Sequence, residues 1–187
     1  MQDSEPRRIG VSIELKPHAY DPATSPELFE GVLERRVVAF FIDFLLIVVP
    51  FGAVCGLAAV FILGFGIVTL GLGWLLYPVF FSLIVPLFVI WAMIYCGLGF
   101  ASPESATVGM RVMGIEMRTW YGAPAYFLLG AVHTVFFWIT VCALTPFVLL
   151  VAFFNRRRRL LHDMLVGTVI INNDARAAVL RTARRPF

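Results

Sequence analysis

From Trp74 to Phe100 the chain carries no acidic or basic side chain, and Val37–Leu63 carries a single one, Asp43. About 20 residues of α-helix cross the ~30 Å hydrocarbon core of a bilayer. Both runs are longer than that, which excludes an ordinary water-soluble domain. Composition agrees, since 14% of residues are charged against roughly 25% in a soluble domain. The fold expected is an all-α membrane protein in one domain. It would be a small multi-span helical bundle with minor cytoplasmic β and amphipathic elements.

The formal net charge is +3, and its distribution says more than its size. Arg and Lys sit before Val37, between Ala101 and Ala123, and after Phe154. Short basic segments stay in the cytoplasm, so these three are expected there. A nucleic-acid partner needs a basic face on a soluble surface, and none is visible. Cys55, Cys96 and Cys142 lie far apart inside apolar runs, without the spacing of a metal site or disulfide framework. They read as packing residues, and no metal or cofactor is expected. The first 36 residues are polar, with prolines at 6, 17, 22 and 26. A cleavable signal would place its apolar core there, so the first apolar run is expected to remain as a membrane helix.

Residues 1–30 read as a cytoplasmic arm, in which Ile9–Leu15 partly alternates and fits a short strand. Ser25-Pro26 reads as a helix start, with Ser25 capping and Pro26 in the first turn. Leu28, Phe29, Val32 and Leu33 then share one face. They form either an amphipathic helix on the membrane surface or an extension of the first span. Within that span Pro50 permits a kink, and Gly52 and Gly56 form a GxxxG pattern open to close helix approach. Gly64, Gly66, Gly71 and Gly73 punctuate an outer turn. In the second span, Trp74 and Tyr77 mark the outer interface and Trp91 and Tyr95 the inner one, while Pro78 and Pro86 bend it.

Ala101–Ala123 is a polar loop with Arg111 and Arg118, and Val112–Met117 fits a short strand. Pro124–Phe154 poses a topological problem. A single span places Arg156, Arg157, Arg158 and Arg159 outside, against the positive-inside tendency. Pro146 offers a re-entrant solution in which Ala125–Leu144 goes in and a shorter helix returns, a geometry tolerated where the broken backbone is buried in protein. Three spans with an outer C-terminus are the alternative. Gly167 then reads as a helix stop, followed by a β-branched strand that pairs with Val112–Met117 or Ile9–Leu15. Residues 173–187 read as a basic, disordered tail.

Asp43 is the most informative residue. A carboxylate near the bilayer centre costs roughly 2.5–3.5 kcal/mol on insertion scales, so it must face a partner or water, or take up a proton. Arg36 lies two turns earlier, about 10 Å along the axis. That is too far for a direct pair, and Arg36 more naturally reaches the headgroups. Arg111, His133 and the Arg156–Arg159 run are therefore the candidate partners. His133 either relays protons or bonds a neighbour such as Thr134 or Thr140. Arg156–Arg159 can anchor to anionic lipid at about 1 kcal/mol per residue, and Asp163 can pair with Arg159 or Arg36. His162-Asp163 lacks the nucleophile, metal cluster or phosphate loop of an enzyme site, so no catalysis is expected.

Three separated stretches, taken together, resemble the RDD family of bacterial membrane proteins. Arg35-Arg36-Val37-Val38-Ala39-Phe40-Phe41-Ile42-Asp43 resembles its opening, which is named for an arginine and two aspartates. Thr107-Val108-Gly109-Met110-Arg111-Val112-Met113-Gly114-Ile115 resembles its central T-x-G-K-x-x-x-G-I motif. Arg159 to Ile170, with Asp163, resembles its close. The resemblance covers roughly Leu33–Asn172 and frames a family domain over 31–172. It makes Arg36, Asp43 and Asp163 the signature residues, with Arg111, His133 and His162 in support. Met110 stands where the central lysine is usual. The family's arginine early in the third apolar segment is absent, and His133 is the nearest polar substitute.

The resemblance implies one of two functions. The first is an accessory subunit or adaptor of a membrane complex, in which the signature residues hold the fold and exposed helix faces bind partner subunits or a second copy of the chain. The second is a transporter of the cation/proton exchange type, in which Asp43 binds the ion and Arg36 and Asp163 form an inner gate.

Overall fold

The computed structural model describes residues 20–144 and 147–183. The chain is mostly helical. A 3-10 turn over Pro26–Leu28 leads into α1, Val32–Val68. A second 3-10 turn, Leu72–Leu75, opens α2, Leu76–Phe100. A short α3, Val108–Val112, precedes β1, Ile115–Thr119. Then come α4, Phe127–Leu144, and α5, Phe147–Phe154. The chain closes with α6, Leu161–Val166, β2, Thr168–Asn172, and α7, Asp174–Ala183.

Two helical stretches, Pro26–Val68 and Leu72–Phe100, are long and apolar enough to cross a membrane. Inside their most apolar windows only 11% and 6% of residues are buried by the rest of the chain. Faces this apolar need lipid or another protein against them. The two helices run antiparallel. Tyr77 donates its hydroxyl to the Ala59 carbonyl at 3.2 Å, and Trp91 donates its indole N–H to the Ile47 carbonyl at 3.1 Å. Pro50 lies inside α1 and removes a donor from its ladder. The Trp91 bond falls in the turn before it. Phe127 and Phe100 fill the spaces over Gly97 and Gly130, and these contacts seat α4 against α2.

The core lies at one end of the molecule. Val32, Ala39, Phe100, Ala106, Met110, Ile115, Met117, Ala125 and Ile170 pack there. This cluster joins the start of α1, the end of α2 and the β1–β2 pair. The two strands are antiparallel, with Ile115 opposite Asn172, Met117 opposite Ile170 and Thr119 opposite Thr168. Asn172 donates to the carbonyls of Glu27 and Glu30 at 2.8 and 2.9 Å. Arg181 of α7 reaches the Glu27 carboxylate at 3.0 Å. Both ends of the described chain are thereby fixed at the same pole.

Several local expectations change. Ser25 makes no side-chain cap, and Gly31, at φ +67°, breaks the chain before α1. Leu28 and Phe29 therefore belong to a separate turn, whereas Val32 and Leu33 open the long helix. The strand after the central loop starts at Ile115 rather than Val112, because the Thr107 cap commits Val108–Val112 to helix. It pairs with the strand after Gly167, one of the two pairings anticipated, and Gly167 ends α6 in the left-handed region at φ +74°. The tail expected to be disordered forms α7 up to Ala183. A Cβ on Gly52 or Gly56 would meet nothing within 4 Å, so the GxxxG pattern packs against no helix described here. Ile9–Leu15 and Pro146 lie outside the described residues.

Candidate functional site

Asp43, half-buried, and Asp163, fully buried, are tied in different ways. Asp43, one turn beyond Ala39 on α1, accepts three hydrogen bonds. Tyr95 donates at 2.7 Å, the Thr107 hydroxyl at 2.5 Å and the Gly109 backbone N–H at 2.7 Å. Thr107 is also the N-cap of α3, where its oxygen accepts from Met110 N–H at 3.4 Å. Asp43 thus caps that helix start at second hand and clamps α3 onto α1. Gly109 makes the approach possible. A Cβ there would collide with the Ala39 carbonyl oxygen and sit 2.9 Å from the Asp43 carboxyl group.

None of the charged partners expected for Asp43 reaches it. Arg111 turns away to Glu104, at 3.4 Å on an exposed surface, and to the Ala106 carbonyl. His133 goes to the Asp163 carboxylate, and Arg159 goes to the backbone carbonyls of Thr168 and Asp163. Neutral donors from α2 and α3 take the place of a countercharge.

Asp163 is fully buried and holds the ionic centre. Arg36 Nη1 lies 2.6 Å from its Oδ2, and His133 Nε2 lies 2.9 Å from its Oδ1. The Leu160 N–H also donates to Oδ2 at 2.9 Å, so the side chain caps α6. Burial opposes ionisation of this group. The Arg36 guanidinium and then the His133 hydrogen bond outweigh it and hold the carboxyl well below the usual carboxylate range. Arg36 therefore reaches inward instead of out to the headgroups, and it also donates to the Arg158 carbonyl at 3.3 Å.

His133 bonds Asp163 rather than Thr134 or Thr140, whose hydroxyls bond backbone carbonyls of their own helix. Beside it stands His162, 1% exposed, with Nδ1 3.3 Å from Thr140 Oγ1 and Nε2 3.6 Å from Asp163 Oδ1. Burial pushes the His162 imidazolium pKa down to about 3, against the pull of Asp163. Ligand atoms of His133, His162 and Asp163 all lie within 4.8 Å of one another, close enough to hold a metal ion. This grouping is not legible from residue spacing, because His133 lies on α4 and His162 and Asp163 lie on α6.

The arginine run does not act as one patch. Arg159 is buried, donates to the carbonyls of Thr168 and Asp163 at 2.8 Å each, and stacks 4.3 Å over the Trp120 ring. Arg157 lies 5.1 Å from the centroid of the same ring. Arg156 and Arg158 stay exposed. A lipid-anchoring role is open to the last two, whereas Arg159 is part of the packed pole.

A family model described as the RDD family matches residues 31–167. The chain belongs to the RDD family. No curated protein matches it, and no solved structure matches it either. RDD proteins are membrane-associated, in keeping with the two long apolar helices. In this RDD chain Arg36 and Asp163 pair directly, whereas Asp43 stands apart on the α3 side. Met110, at the usual lysine position, is buried in the core and contributes packing.

Between α1 and α4 a cavity of about 340 Å³ is lined mainly by apolar side chains. Asp43, Arg36, His133 and His162 form its polar wall. Polar groups of α1 and α6 thus share one space.

Proposed function

We propose that this RDD chain is a non-catalytic accessory subunit or adaptor embedded in the bacterial cytoplasmic membrane. The observation that carries this reading is that the signature groups are spent on the fold. Arg36 and Asp163 satisfy each other, and Asp43 is taken up by three donors of α2 and α3. What remains for a partner is the long, nearly unburied surface of α1 and α2. In this reading α1 and α2 cross the bilayer, and α4 with α5 forms a re-entrant hairpin. The pairing of β1 with β2 supports it, because the chain after α5 must return to the pole where α4 began. The basic residues at that pole support a cytoplasmic placement of both ends.

The adaptor reading is tested with photocrosslinking residues placed singly at Leu57, Phe61, Val85 and Ile90, all exposed, in the full chain in its native membrane. The adaptor gives discrete products of higher mass at positions on one helix face. No product at any position contradicts it.

The 340 Å³ cavity favours a second reading. An apolar cavity that reaches a carboxylate without a cationic partner is suited to admit a cation or proton to Asp43, as in an exchanger. That reading requires Asp43 to exchange its three donors for an ion during turnover.

A further inference from the structure

Two of the three distances among the atoms that meet beside Arg36 are near those of a coordination shell, and all three atoms lie within 4.8 Å of one another. A four-coordinate ion holding nitrogen and oxygen at ~2.0–2.2 Å keeps its ligands about 3.3–3.5 Å apart. The Asp163 Oδ1 distances to His133 Nε2 and His162 Nε2, 2.9 and 3.6 Å, bracket that edge.

Counting hydrogens supplies a second, independent argument. The Thr140 hydroxyl has one proton and gives it to the carbonyls of Phe136 and Phe137, at 2.8 and 3.1 Å. Toward His162 Nδ1 the Thr140 oxygen can only accept, so Nδ1 carries the hydrogen. In its neutral form an imidazole has one N–H, which Nδ1 here holds. His162 Nε2 therefore turns a bare lone pair on a carboxylate oxygen 3.6 Å away. Two acceptors then face each other at the wall of the cavity, on a side chain that is 1% exposed. A cation between them resolves the conflict.

We propose that His133 Nε2, His162 Nε2 and Asp163 Oδ1 bind a divalent transition-metal ion of the Zn²⁺ class. Two imidazoles and a carboxylate are a common donor set for such ions. Arg36 keeps Oδ2, so the carboxylate spans guanidinium and metal with one oxygen each. The Thr140–His162 contact is the outer bond that fixes the tautomer. His133 moves its hydrogen from Nε2 to Nδ1 on binding. The cavity lined by Phe40, Phe137 and both histidines gives the ion its entry and leaves room for a water as fourth ligand. The metal ties α4 to α6, and this proposal does not depend on the adaptor reading.

The test uses full-length protein without a polyhistidine tag, in detergent, with Co²⁺ as the probe. His18→Ala removes the remaining histidine of the three in the chain and serves as background. The expected result is strong visible absorption of tetrahedral type, saturating at one ion per chain and displaced by Zn²⁺. His162→Gln abolishes it. Thr140→Val, which leaves every ligand in place, weakens binding at least about tenfold. Zn²⁺ also raises the melting temperature of the His18→Ala protein, a readout that needs no ligand variant to fold. The proposal is overturned if that protein takes up no Co²⁺ at micromolar concentration. It is equally overturned if the spectrum is weak and octahedral, or if it survives His162→Gln.

Discussion

Arg36 Nη1 lies 2.6 Å from Asp163 Oδ2, with 8% and 0% of the two side chains exposed. This contact joins the second turn of α1 to α6 across most of the chain. Removing one member of such a pair leaves a buried charge without compensation, at a cost of about 3–5 kcal/mol. Arg36→Met is expected to lower stability by that order, measured by reversible unfolding in mixed micelles. Because one pair is being broken, the Arg36→Met/Asp163→Asn double variant should fall well short of the sum of the singles. Simple additivity would argue against the pair.

The Asp43 clamp gives graded losses. Tyr95→Phe removes one hydrogen bond to a charged group and should cost about 1.5–3 kcal/mol. Asp43→Asn places an amide N–H₂ among three donors and should cost at least as much. Gly109→Ala should be the most severe, because its methyl would meet the Ala39 carbonyl. Melting temperatures of the detergent-solubilised variants give the order, and a mild Gly109→Ala would mean that α3 does not sit against α1.

Acid should unfold the pole. His162 is neutral in the fold, with a pKa of about 3, and takes a proton near pH 6.5 when unfolded. Between these values the unfolded chain binds more protons, so stability falls as pH drops through that window. Asp163 acts in the same direction lower down. Its folded carboxyl is held below the ordinary range, so its contribution is present above about pH 4 and lost below. Melting temperature from pH 8 to pH 4 should decline steadily, and His162→Phe should flatten the part above about pH 4.5. A maximum near pH 5 contradicts this assignment.

The arginine run should divide by position. Arg159→Ala removes two buried hydrogen bonds and a cation–π contact, and should cost about 2 kcal/mol or more. Arg156→Ala with Arg158→Ala should leave the melting temperature within about 0.5 kcal/mol equivalent while reducing affinity for anionic lipid nanodiscs. Equal effects from both changes would show that the run works as a single patch.

The long helices were legible in the sequence because bilayer thickness sets a minimum run of uncharged residues, and Trp74–Phe100 meets it with no exception. The β2 strand was legible from Gly167 and the β-branched residues after it. The start of β1 was not, because Thr107 caps a short helix that is seated by Asp43, from a distant segment. The partners of Asp43 were missed for a related reason. A carboxylate is satisfied by a countercharge or by enough neutral donors, and the place of Tyr95 in the sequence marks an interface aromatic as readily as a hydrogen-bond donor. Asp163 and Arg36 were named as a candidate pair. The two histidines around them could not be placed, since α4 and α6 meet only in three dimensions.

The central claim is that the signature acids hold the fold together rather than carry ions. Its most direct test is cation-dependent proton flux in proteoliposomes of the full chain, run with Na⁺, K⁺ and Ca²⁺ beside Asp43→Asn reconstituted to the same density. Flux no greater than in empty liposomes is expected for both proteins. Flux that is present in the natural chain and lost in an equally well reconstituted Asp43→Asn would contradict it and make Asp43 an ion site.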